Sequence, residues 1–221
     1  MRMIHFMKID YIKTKQQLYF LPVFVVIAIA LWGQMDSVLI PFSYMIFIAI
    51  IYATSPFGSC KRGDAGFLVL LPSTTAHRVL GRFLYGISFV GMAVVSGGIF
   101  MAVYQMRGRE TELWVIGGGL FLLAFCIFII TLEFLILYLA GEHMAPQILG
   151  IVRTAPAMGA FFAMMYLMDD IEAAGPGNIS MIQDAGGALI KMGFIAIGAV
   201  LVLLAAAIVI CVKVTAKRDY V

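Results

Sequence analysis

The chain has 221 residues, 63% hydrophobic and 12% charged. Soluble domains carry roughly twice that charged share and are about half apolar, so a water-solvated core is excluded and a bilayer is the solvent these side chains need. The formal net charge of +3 is too small for a nucleic-acid partner to be expected, and the positions of the charges carry more information than their sum.

In chain order, residues 1–17 mix Ile4, Met7, Ile9, Tyr11 and Ile12 with Lys8, Lys13 and Lys15. That pattern predicts an interfacial helix in the headgroup plane; the plainer reading is a solvated basic leader that only sets topology. Apolar runs follow over 18–32, 38–54, 79–104, 113–139, 151–168 and 189–214. A helix needs about 20 residues to cross the hydrocarbon core. Continuous apolar runs exclude barrel strands, which alternate. The first run is short and contains Pro22. Its basic leader and the Ala28-Ile29-Ala30 triplet also suit a signal peptide, but the run continues past that triplet to Trp32. The expectation is one all-α polytopic membrane domain over 1–221 with six transmembrane helices.

Orientation follows from Lys and Arg. Arg2, Lys8, Lys13 and Lys15 precede the first run, the stretch 55–82 holds Lys61, Arg62, Arg78 and Arg82, and Lys213, Lys217 and Arg218 lie in the tail. The intervening loops are poorer in base. Residues 34–37 hold only Asp36, 105–112 set Arg107 and Arg109 against Glu110 and Glu112, and Asp169, Asp170, Glu172 and Asp184 carry the last loop. The positive-inside rule then puts both termini in the cytoplasm. Cys60, Cys126 and Cys211 are odd in number and far apart, and His5, His77 and His143 lie outside the apolar runs, so neither a disulfide framework nor a metal site is expected.

The segment 55–82 is the largest cytoplasmic loop. Pro56, Gly58 and Gly63 break the helix leaving the second span. Asp64 can cap a short helix through Phe67, Leu68, Val69, Leu70 and Leu71 by accepting orphan amides. Pro72 ends it, and Ser73, Thr74 or Thr75 caps the next helix, which runs through Arg78 and Arg82. Such a surface helix suits a docking partner; it equally suits packing on lipid, with its basic neighbours on anionic headgroups.

With a basic N-terminal segment, six runs and this loop, the chain resembles the type 2 ABC transporter permeases. The best match is 64–84, where Leu71-Pro72-Ser73 precedes a basic stretch; many relatives place a base directly after the small polar residues, where this chain has Thr75 and Ala76 before His77 and Arg78. It is similar to small permeases of bacterial peptide exporters, including the phenol-soluble modulin and bacitracin-resistance types. The resemblance implies a coupling helix at 64–71, with Asp64, Phe67, Leu68 and Leu71 seated in a groove of a separate ATPase subunit, and a minor contact at 141–150. It implies ATP and Mg on that partner and no cofactor on this chain, which has no G-x-x-x-x-G-K-[ST] loop. It also implies pairing with a second copy or a sister permease in a bacterial plasma membrane, a peptide or other hydrophobic substrate, and an outer mouth capped by the acidic 169–190 segment.

Glu133 is the one carboxylate inside an apolar run. Burial of an ionised carboxylate in lipid costs a few kcal/mol, so it is protonated, paired or facing water. Arg82 and Arg153 are the expected partners. It reads as a pathway or gate residue, or as a static staple between helices. Ala155, Gly159 and Ala163 recur every fourth residue, a spacing that lets another helix approach closely, either across a dimer or within one bundle. Gly117, Gly118 and Gly119 suit flexible or tight packing at a helix start.

The reading is therefore the membrane subunit of an ABC exporter, not an enzyme. An intramembrane enzyme needs paired catalytic groups at depth, and the spans offer only Glu133. The alternatives are a proton- or ion-coupled secondary transporter using Glu133, and a non-transporting membrane anchor for a partner complex.

Overall fold

The structure, a computed structural model, describes residues 3–32, 38–58, 74–108, 113–141, 144, 147–152, 154, 155, 158, 159, 162 and 186–219. The chain opens with α1, Met3–Leu18, and α2, Leu21–Trp32. The break between them has a cause in the sequence. Pro22 has no N–H for the Leu18 carbonyl, and its ring crowds that group. The two helices diverge by 62°. The new helix starts with the Phe24 amide on the Phe20 carbonyl at 3.2 Å. The helix within the first apolar run therefore begins at Leu21, and its 12 residues reach only about 18 Å.

α3, Leu39–Ala53, turns at Thr54 into the one-turn helix α4, Ser55–Gly58. Pro41 is tolerated in α3 because first-turn amides have no intrahelical acceptor to lose. Three long helices follow: α5, Thr75–Met106; α6, Leu113–Ala140; and α7, Gly186–Asp219. At helical rise they measure about 48, 42 and 51 Å, against a hydrocarbon core of about 30 Å, so each protrudes. Among the described residues, four helices are long and apolar enough to cross a membrane, or five if the bent α1–α2 pair is one span. Six were expected. The second, third, fourth and sixth runs coincide with α3–α4, α5, α6 and α7; the fifth, 151–168, lies mostly outside the described residues.

α5 runs against α3 and α6. Phe42, near the start of α3, lies on Gly97, near the end of α5, where an added Cβ would meet the ring at 2.7 Å. At the opposite end of the bundle, Phe57 of α4 meets Phe134 of α6 at 5.4 Å between ring centres. The buried aromatics Phe83, Tyr85, Phe89 and Phe134 fill the middle, and Phe83 meets Phe134 nearly edge-on at 4.8 Å, the geometry ring quadrupoles favour. Ser43, Ser96, Thr131 and Thr215 donate to carbonyls three or four residues back in their own helices. This hides their hydroxyls where no water is at hand.

α7 lies on α6 in the same direction. A Cβ on Gly117 would come within 2.8 Å of the Leu189 Cβ, and one on Gly193 within 2.7 Å of the Leu120 Cβ; at the far end Arg218 reaches the Tyr138 carbonyl. Gly117 thus serves tight packing. The chain leaves α6 at one end of the bundle and enters α7 at the other.

Candidate functional site

The end of the bundle that carries α1 gathers the chain's basic segments. Lys8, Lys13 and Lys15 are on α1, Arg78 and Arg82 on the first turns of α5, and Lys213, Lys217 and Arg218 on the last turns of α7. α1 lies across the start of α5 because Phe6, Asp10 and Thr14 are buried one turn apart on one face, the i, i+4, i+8 stripe of a helix. Gly81 permits the contact: a Cβ there would sit 2.5 Å from the Phe6 Cβ and 2.9 Å from the Met3 carbonyl oxygen.

Asp10 is only 4% exposed, and its carboxylate is 3.8 Å from Nε of Arg82. Burial pushes the Asp10 carboxyl above its usual range, against the pull of Arg82 and then Lys13. The Arg82 guanidinium also lies over the Phe57 ring, 4.8 Å from its centre. One turn further along, the Thr14 and Tyr85 hydroxyls are 2.9 Å apart. A cavity of about 50 Å³ lies beside the pair, lined among others by Asp10, Arg78, Arg82, Tyr138 and Thr215. Four helices therefore meet around one small cavity.

α5 begins with a formed cap. The Thr74 side chain accepts from the His77 amide at 3.4 Å, so of the three candidates at 73–75 the helix uses the middle one. The proposed coupling residues Asp64, Phe67, Leu68 and Leu71 lie outside the described residues, but both ends of their segment are described, at Phe57 and at Thr74, and both are at this end of the bundle.

Glu133 is wholly buried, on the stripe Cys126, Ile130, Glu133, Leu137 that faces inward from α6. It lies seven residues before the end of α6 at Ala140, about 10 Å along the axis. Arg82, expected as its partner, has its described ion pair with Asp10; Arg153 is outside the described residues. Ala155 and Gly159 are helical and exposed, a Cβ on Gly159 would meet open space, and Ala163 lies outside the described residues. The sequence reading missed Asp10, Tyr138 and the Arg218 cap. The signal for the first was present in the spacing of Phe6, Asp10 and Thr14, opposite Ile4, Lys8 and Ile12.

These features define a polytopic α-helical membrane protein whose basic segments share one end, tied together by buried polar and aromatic contacts. Comparison with known families narrows the class: a family model described as "ABC-2 family transporter protein" matches residues 5–216. The chain belongs to that family and is a membrane component of a transport system. No curated protein and no solved structure matches it.

Proposed function

We propose that this chain is the permease subunit of an ABC exporter. Two copies, or one copy with a sister chain, form the pathway. A separate ATPase subunit, carrying the ATP and Mg, docks on Asp64, Phe67, Leu68 and Leu71. The observation that carries this reading is the meeting of both flanks of that segment with the basic N- and C-terminal helices at one end of the bundle. That end is then the cytoplasmic one under the positive-inside rule, with both termini inside a bacterial plasma membrane.

The parallel course of α6 and α7 supports a sixth crossing. The chain between them begins and ends on opposite sides of the bundle, and the apolar run 151–168 is long enough to make the return. Glu133 is the proposed gate residue. Amphipathic or antimicrobial peptides are the proposed cargo, suited by the negative charge of the 169–190 segment.

The test is purification with the cognate ATPase, followed by Asp64→Lys combined with Phe67→Ala. The variant should accumulate normally and lose stimulation of ATP hydrolysis. Unchanged stimulation removes the docking assignment. Transport of a labelled cationic amphipathic peptide by the reconstituted complex tests the cargo.

A further inference from the structure

We propose that Arg82 is a positioning residue that fastens α1 to both flanks of the 59–73 segment, so that the three parts move as one unit. The proposal rests on the reading of 64–71 as the ATPase contact and names the side chain through which motion there reaches the rest of the bundle.

One guanidinium serves two other elements. Arg82 itself stands on α5, in the third turn after the Thr74 cap, on the flank that follows the segment. Its Nε faces Asp10 of α1 at 3.8 Å. Its Cζ lies over the ring of Phe57 of α4, on the flank that precedes the segment, at 4.8 Å from the ring centre. With Tyr138, near the end of α6, it lines one small cavity. The contacts use different parts of the group. A planar guanidinium offers a face to an aromatic ring while its edge faces a carboxylate, which a lysine ammonium cannot do.

The surroundings hold α1 to this place rather than let it slide. Gly81 lets the Phe6 turn sit directly on the α5 backbone, and Thr14 meets Tyr85. Tyr11 packs edge-on against Tyr85, 4.9 Å between ring centres. The Asp10–Arg82 pair is thus flanked on both sides by close contacts, and a displacement of either flank of 59–73 pulls on α1 through it. A staple with only local effect would need the Asp10 contact alone; the cation–π contact with Phe57 is what joins the preceding flank.

The experiment is hydrogen exchange on the full-length protein in lipid nanodiscs, for wild type, Asp10→Asn and Arg82→Lys, with ATP hydrolysis by the bound ATPase measured in parallel. In Asp10→Asn, amides of α1 and of the peptide containing Phe57 should exchange faster together, by about fivefold, with residues 113–120 at the far end unchanged. Arg82→Lys keeps the charge opposite Asp10 but loses the planar face. It should speed the Phe57 peptide more than α1, and it remains informative if Asp10→Asn fails to accumulate. Both variants should keep the ATPase bound while its stimulation falls by a similar factor.

Faster exchange confined to α1 in Asp10→Asn, or Arg82→Lys leaving the Phe57 peptide at its wild-type rate, overturns the joint unit. Joint loosening with wild-type stimulation overturns the positioning role. A wild-type chain that binds and stimulates no ATPase overturns the exporter reading instead, and the exchange data then decide the Arg82 unit by themselves.

Discussion

Arg218, near the end of α7, donates to the carbonyl oxygen of Tyr138, near the end of α6, at 2.9 Å, and with its second nitrogen to Leu139 at 2.7 Å. The last carbonyls of a helix have no amide of their own helix to accept from, and a cation there also suits the helix dipole. Gly141, at φ +83°, stops α6 in the left-handed conformation that glycine adopts without cost. An added Cβ there would meet the Arg218 guanidinium at 2.5 Å. One arginine therefore closes α6 and holds two parallel helices in register at the end where 141–150 begins.

Arg218→Ala should fray the last turn of α6 while leaving the bundle folded. The group is exposed, so the cost is small, about 0.5–1 kcal/mol. Hydrogen exchange of residues 137–141 should speed up about threefold, with residues 113–120 unchanged. Equal rates in both proteins would show that the contact contributes nothing in the membrane.

Gly117→Val should loosen the α6–α7 pairing. Its Cβ would start 2.8 Å from the Leu189 Cβ and 3.2 Å from the Leu189 carbonyl carbon, and the backbone carbon cannot swing away. Overpacking of this kind costs about 1–3 kcal/mol, a fall of about 5 °C in the temperature at which the purified protein leaves its monodisperse peak. Gly91→Ala is the control: a Cβ there meets open space, and the melting temperature should stay within the shift that about 1 kcal/mol produces.

Glu133→Gln separates gate from staple. The side chain is fully buried and the amide keeps its shape, so accumulation should remain near wild type while transport falls several-fold. Loss of the protein from the membrane, with no change in transport per molecule, would make Glu133 a fixed packing residue.

Topology has its own check. Cys126 and Cys211 are buried, which leaves Cys60 as the thiol to probe. An impermeant maleimide should modify Cys60 only in permeabilised cells, and a cysteine placed at Gly175 in intact ones. Modification of Cys60 from outside intact cells would put the basic end on the wrong side for an ATPase.

The class of protein was legible without coordinates. Apolar runs announce spans because transfer into lipid is close to a sum over residues in a window, and that sum needs no knowledge of neighbours. Pro22 and the Thr74 region were readable as helix boundaries for the same reason: a missing N–H or a side-chain cap acts within one turn. The first apolar run starts at 18 and its helix at Leu21, because apolar side chains continue through the turn that Pro22 imposes.

What joins the helices was not legible. Asp10 and Arg82 are 72 positions apart, and Arg218 and Tyr138 are 80 apart. The sequence offered Arg82 to Glu133 because both lie near the basic end of their helices, and it gave no sign of the Asp10–Arg82 pair, which forms because Gly81 brings α1 down onto that face of α5. Composition and periodicity determined that these segments live in lipid as helices, since that preference is local and additive. The order in which the helices pack, their directions and the side chains that meet depend on rotation and tilt of whole helices against each other, and only the tertiary structure decided them.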